Sequence, residues 1–200
     1  MTEPTRIALF GGSFNPPHAG HLLAALYVLE TCDVDALWLV PTYAHPFHKP
    51  LAAFEHRIAM CELVAAALGP RASVSRAEEQ LAQRPGFVAS RTLDLVTMLL
   101  EQPGRAFRLV VGADILGETD KWHRWADLVQ LAPPIVVGRG GHPPPPGAHV
   151  TELAMPEVSA TEVRALLAAT DAASDARAAS LVPREVLRYI AEHRLYRDRA

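Results

Sequence analysis

A doubly wound, Rossmann-like α/β domain, with a parallel sheet and helices on both faces, is the fold this sequence predicts, on three observations. Short apolar or β-branched runs alternate with longer runs of helical period. The first such run, "RIALF", passes directly into a glycine pair and then, through "SFNPPHAGH", into a helix-like stretch. The length of 200 residues, half apolar and one-fifth charged, suits one well-packed unit. Residues 1–200 are therefore expected to form a single domain, with a helical C-terminal part from about residue 159.

The strands are expected at Arg6 to Phe10, Ala36 to Val40, Ala72 to Arg76, Phe107 to Val111 and Pro134 to Val137, with a further one around His149 to Leu153. Between the first two, Leu22, Ala25, Leu26 and Leu29 make one helix face; Phe54, Ile58, Cys61, Ala65 and Leu68 make a second, with spacings of four and three. A third helix is expected from an N-cap at Ser90, carrying Leu93, Val96 and Leu100. "GRGGHPPPPGAH" cannot supply sheet hydrogen bonds at its prolines and reads as an extended loop. "VSATEVRALL" starts another helix, and "LVPREVLRYIAEHRLY" closes the chain as a helix with Pro183 near its first turn. The Ala-rich "AATDAASDARAAS" between them is low in pattern.

Several function classes lose support at this level. The formal charge of −3 gives no global basic field, so nucleic acid is not expected as a partner. Cys32 and Cys61 are far apart and lie inside apolar helical patterns, which suggests neither a disulfide framework nor a thiolate zinc site and fits a reducing cytoplasm. No window approaches the length of a membrane span, and "MTEPTRIALFGG" lacks a long apolar stretch with a cleavage site. A cytoplasmic protein is expected; the sequence leaves monomer or homo-oligomer open.

In a doubly wound sheet, ligands sit at the carboxyl ends of the strands, where "GGSFNPPHAGH" lies. Gly11 and Gly12 allow a tight turn and bring backbone N–H groups close to a ligand. The helix that follows adds free N–H groups and a positive dipole end, so a phosphate is the ligand this turn suits best. His18 and His21, three apart at the helix start, fall on one side and can donate to phosphate oxygens. A histidine pair also suits a metal, but the usual zinc helix spaces its histidines four apart beside a glutamate, and no carboxylate or thiolate lies near these two. The P-loop and the G-x-G-x-x-G fingerprint are both missing, so phosphate binding here is of another type.

"GGSFNPPHAGH" closely resembles the signature of the His-x-Gly-His nucleotidyltransferases, which move a nucleotidyl group from a nucleoside triphosphate to a phosphate acceptor. Further segments resemble the bacterial nicotinate-mononucleotide adenylyltransferases. "VPTYAHPFHK" is similar to their strand-end proline and Pro-x-His-Lys segment, "SRTLD" to their Ser-Tyr-Thr-x-Asp helix start, and "VGADILGETDKWHRW" to their Gly-Ala-Asp strand end followed by Trp-x-x-Trp. "VSATEVR" is similar to their Ile-Ser-Ser-Thr-x-Ile-Arg motif and "YIAEHRLY" to their C-terminus. The matches run in order from Ile7 to Tyr196.

The resemblance implies a fold of the nucleotidyltransferase type and adenylyl transfer from ATP to nicotinate mononucleotide, giving nicotinate adenine dinucleotide and pyrophosphate in NAD synthesis. It implies Mg²⁺ carried with ATP, with no protein metal ligand to name. By carry-over at matching positions, Gly11, Gly12, Ser13, Phe14 and Asn15 would line the phosphates. His18 and His21 would act on the triphosphate, with Lys49 as a cation from the opposite side. Gly112 and Asp114 would meet a ribose, Trp122 and Trp125 the pyridine ring, and Ser90, Arg91 and Thr92 the nicotinate side. Ser159, Thr161 and Arg164 would return to the phosphates. Two positions depart from the family pattern: Ala160 stands where the motif has its second serine, and Arg91 where the family has tyrosine. Arg91 bears on selection of acid over amide, either by pairing with the carboxylate or by pointing to solvent.

The alternatives are an adenylyltransferase of the same fold with nicotinamide mononucleotide or phosphopantetheine as acceptor, a non-catalytic nucleotide sensor, and a metal-dependent hydrolase built on His18, His21, His45 and His48. Retention of both signature histidines, Lys49 and Arg164 counts against a sensor.

Overall fold

The computed structural model describes residues 3–44, 50–138, 145, 147–151, 156 and 158–197. Six strands, β1 (Thr5–Gly12), β2 (Ala36–Pro41), β3 (Ala72–Val74), β4 (Arg105–Gly112), β5 (Pro134–Val137) and β6 (His149–Val150), form one sheet in the order β3-β2-β1-β4-β5-β6. Every pairing in it is parallel. The winding reverses between β1 and β4, so the crevice at their carboxyl ends is the natural place for a ligand.

Side chains alternate across each strand and fill two cores. Ala8, Leu37, Leu39, Val110, Ile135 and Val137 face one cluster, which is completed by α1 (Ala19–Thr31), α2 (Phe54–Leu68) and buried residues of the C-terminal helices. Ile7, Leu9, Val40, Leu109, Val111 and Val136 face the other, completed by α3 (Ala77–Ala82), α4 (Thr92–Leu100) and α5 (Trp125–Leu131). The C-terminal helices α6 (Ala160–Ala168), α7 (Ala172–Leu181) and α8 (Arg184–Glu192) contribute Val163, Leu181, Val186 and Ile190 to the first cluster. Each fully buried aliphatic side chain there is worth about 1.5–3 kcal/mol over exposure, which holds the C-terminal helices to this core.

The expected strands are all present, with shifted ends. The third stops at Val74 because Arg76 turns into the cap of α3 and pairs with Glu55 and Glu79. The last is described only at His149–Val150; residues 152–155 lie outside the described ones. On α1, Leu26 is 44% exposed and does not share the buried face, which is Ala24, Ala25, Val28 and Leu29. The N-cap of α4 is Arg91, not Ser90: Arg91 is extended and its carbonyl accepts the Leu95 N–H, while Ser90 Oγ is buried. The Ala-rich stretch forms α7, capped by Asp171, which accepts the Ser174 N–H at 2.9 Å; it buries little beyond Ala178 and Leu181, which is why its period is faint.

Candidate active site at the carboxyl ends of β1 and β4

The turn from β1 to α1 places the two histidines in stacked contact. His18 is the N-cap of α1 and His21 its third residue, and their ring centroids are 3.8 Å apart. The backbone N–H of His18 donates to His21 Nδ1 at 3.1 Å. That bond makes Nδ1 the acceptor and leaves the His21 proton on Nε2, free to be donated outward. Among the described residues His18 Nδ1 is buried without a hydrogen-bond partner, an exception that asks for a function.

Burial pushes the His18 imidazole down to about 4, with Glu162 opposing weakly. His21 is lowered well below the ordinary range, first by burial and then by the neighbouring His18. Both rings are therefore neutral donors at neutral pH. The packing is specific: His21 rests on Phe14 at 4.9 Å and Phe10 at 5.9 Å between centroids. A Cβ at Gly20 would stand 3.1 Å from His18 Nδ1, and one at Gly12 would stand 3.3 Å from the Phe14 ring. These glycines let the rings close over the helix start; Gly11 is exposed with open space beside it.

Phe14 and Asn15 have internal tasks. The Phe14 ring is only 1% exposed and supports His21, so its side chain offers no surface to a ligand. Buried Asn15 accepts at Oδ1 from the Ala52 N–H at 3.0 Å and the Tyr196 hydroxyl at 2.9 Å. Its carbonyl accepts from Arg164 Nη1 at 2.8 Å. Arg164 thus lies over the signature turn, steadied by Thr161 Oγ1 at 3.2 Å from Nη2. Ser159 caps α6, its Oγ accepting the Glu162 N–H at 3.1 Å. Beside Arg164 opens a cleft of about 650 Å³ whose lining includes His56, His193, Arg194 and Arg197.

Across the crevice, β4 ends at Gly112, where a Cβ would collide with Asp114 Oδ1; glycine is what lets that exposed carboxylate fold back over the strand end. Trp122 and Trp125 meet edge to face at 5.4 Å and are half-buried against the second core, so packing claims part of each ring. Thr92 opens α4. Arg91 is exposed and lines a hollow of about 490 Å³ with Arg84, Phe87, Asp94 and Arg124. The Glu78 carboxyl, pushed up by burial and partly restored by Ser90 and the Tyr43 N–H, holds the chain after β2 at 2.8 Å from that N–H.

Lys49, with His45 and His48, lies outside the described residues. Among the described residues no three His, Cys, Asp or Glu side chains stand together as metal ligands. Sequence reasoning missed Gly20, Tyr196 and Arg57 as parts of the site; the first was visible inside the signature as the glycine of His-x-Gly-His, the other two only through packing.

Comparison with known proteins places the chain in a family. The cytidylyltransferase-like family model matches residues 9–166. The chain is 49% identical over 197 residues to the protein named "Probable nicotinate-nucleotide adenylyltransferase" of Anaeromyxobacter sp. (strain K), covering 98% of this chain and 100% of that one. It is 40% identical to the protein of the same name from Myxococcus xanthus (strain DK1622), covering 98% and 97%. The structure of Plasmodium falciparum nicotinic acid mononucleotide adenylyltransferase complexed with NaAD superposes with a TM-score of 0.77 at 19% identity, over 96% of this chain and 97% of that one, which shows the shared fold. Signature turn, imidazole pair and end-to-end identity together make this chain a member of the nicotinate-nucleotide adenylyltransferases, within the cytidylyltransferase-like family.

Proposed function

We propose that this chain transfers the adenylyl group of ATP to nicotinate mononucleotide, releasing pyrophosphate and forming nicotinate adenine dinucleotide, a step of NAD biosynthesis. The observation that carries the reading is the neutral imidazole pair at the amino end of α1, in a chain 49% identical from end to end to a relative named for this activity. An acceptor phosphate oxygen attacks the α-phosphorus in line; the bond to the bridging oxygen of the β-phosphate breaks, and its electrons leave with pyrophosphate. No covalent enzyme intermediate and little proton transfer are needed, so the protein works by alignment and charge stabilisation.

In this reading His21 Nε2–H and the His18 ring donate to triphosphate oxygens, and the N–H groups of Gly11, Gly12 and Ser13 and the start of α1 add backbone donors. Arg164 and Lys49 supply positive charge from two sides. Asp114 accepts from ribose hydroxyls, while Trp122 and Trp125 flank the pyridine ring with Ser90, Arg91 and Thr92 near its carboxylate. Phe14 and Asn15 act through backbone and support. Mg²⁺ prefers oxygen ligands, and the imidazole and guanidinium groups here offer it none, so the ion would come with ATP, held by substrate oxygens, and would supply charge neutralisation while His18, His21 and Arg164 hold phosphate oxygens. The reading takes residues 1–200 as one catalytic domain working in the cytoplasm on small nucleotides; among the described residues no helix is long and apolar enough to cross a membrane.

The test is pyrophosphate release with ATP and Mg²⁺, comparing nicotinate mononucleotide, nicotinamide mononucleotide and phosphopantetheine, with His18→Ala as control. Preference for nicotinate mononucleotide, lost in the control, is expected. Preference for another acceptor moves the substrate assignment, and folded protein that binds ATP without turnover overturns the enzyme reading.

A further inference from the structure

Arg57 is the largest fully buried side chain in the described structure, 2% exposed, and it forms no ion pair among the described residues. A buried cation is costly, and the charge of Glu78, which acts on it through space without a hydrogen bond, offsets only part of that cost, since burial still lowers the guanidinium below its ordinary range. Its place in the first turns of α2 adds to the cost, because a helix amino end disfavours positive charge. What the guanidinium has instead is three backbone carbonyls from three separate stretches. Nε donates to Ala52 O at 3.0 Å, and Nη1 to Ser13 O at 3.0 Å and Thr42 O at 2.7 Å. The Phe54 ring lies 5.3 Å from its carbon centre.

These acceptors are not scattered. Ser13 is in the signature turn, Thr42 follows the end of β2, and Ala52 follows the segment that carries Lys49. Asn15 reinforces the same junction, taking the Ala52 N–H on its side chain. We propose that Arg57 is a positioning residue: its fork ties the signature turn at Ser13 to Thr42, just after β2, and to Ala52, just before α2, and so sets the spacing between the imidazole pair and the carboxyl end of β2. The proposal deepens the adenylyltransferase reading and rests on it. In-line displacement is sensitive to such spacing, since misplacement by about 1 Å can cost about 100-fold in rate. A lysine at 57 keeps the charge but lacks the planar fork that reaches three carbonyls at once.

The experiment compares wild type with Arg57→Lys and Arg57→Gln. Arg108→Lys is a matched control, because Arg108 also donates to three carbonyls, those of Pro133, Pro134 and Gly147, at the amino-terminal ends of β5 and β6 and away from the crevice. Pyrophosphate release with ATP and nicotinate mononucleotide should show kcat lowered about 30- to 100-fold in folded Arg57→Lys, with KM for each substrate within about threefold. Arg108→Lys should melt lower and keep kcat within about twofold of wild type. Amide exchange should quicken at least about tenfold at residues 12–15 and 42–44 in the Arg57 variants, and stay unchanged at 7–10 in β1.

A folded Arg57 variant with near wild-type kcat, an equal loss in Arg108→Lys, or exchange that is unchanged or raised throughout would overturn the proposal. So would failure of both Arg57 variants to fold, which would make the residue a general support. Wild-type protein without turnover on any acceptor would instead defeat the functional reading. The exchange pattern would then decide the brace by itself: a rise confined to the two segments upholds it, and any other pattern overturns it.

Discussion

Replacing His18 by asparagine should remove a specific part of the acid sensitivity of this fold. His18 is 7% exposed and burial lowers it from 6.5 to about 4, so between those values the unfolded chain holds a proton that the folded chain refuses. With the folded value below the unfolded one, the neutral ring costs nothing above pH 6.5, and stability is lost as pH falls from 6.5 towards 4. The linkage relation gives a loss of about 2 kcal/mol from His18 at pH 5, rising to about 3 kcal/mol below pH 4. Asparagine caps a helix well and does not titrate, so His18→Asn should fold and lack this slope, while the carboxylate contributions remain in both proteins. Urea unfolding of each at pH 7 and pH 5 isolates the difference: wild type should lose about 2 kcal/mol more than the variant. Equal losses would refute the reasoning, because they would mean that the ring titrates as if exposed and that the unpartnered Nδ1 is not buried.

Polyphosphate should reverse the same shift, since anionic oxygens beside His18 and His21 favour their charged forms; ATP binding at pH 6 should take up protons, seen as a dependence of calorimetric enthalpy on buffer ionisation, and no uptake would place the triphosphate elsewhere. Gly20→Ala puts a methyl 3.1 Å from the His18 ring; activity should drop about 10- to 100-fold with the melting temperature little changed, and full activity would show that the ring has room to move. Tyr196→Phe removes one hydrogen bond to Asn15 and should cost about 1 kcal/mol in urea unfolding. For Arg91→Ala, preference for nicotinate over nicotinamide mononucleotide should fall if the guanidinium meets the carboxylate; an unchanged ratio of kcat/KM removes Arg91 from acceptor selection.

The elements legible in the sequence were those whose burial pattern is strong and local. β1, β2, β4 and β5 show as apolar runs because both faces of these parallel strands are covered, and α2 shows as a stripe because Ile58, Cys61 and Ala65 repeat on one side. The elements that escaped notice, α3, α5 and α7, are short or weakly buried: α3 buries only Ala77 and Leu81, α5 only Leu128 and Val129. Leu26 misled because apolar spacing says which residues share a helix face, not how wide the buried part of that face is.

The sequence by itself determined the glycine turn and the residue types of the candidate site, because those depend on neighbours in the chain: two glycines, the His-x-Gly-His spacing and a helix start form their geometry within eleven residues. Tertiary structure alone decided which of these groups stay open to the crevice and which turn inward to hold the others in place. Phe14 and Asn15 sit inside the signature yet turn inward, one beneath His21, the other onto Ala52 and Tyr196. Arg57 reads as an ordinary charged helix residue, yet lies at the centre of the junction. The reason is physical: burial and hydrogen-bond partners of a side chain are set by segments tens to more than a hundred residues away, as Tyr196 is from Asn15, and only the folded packing of β1, α2 and the C-terminal helices brings them together.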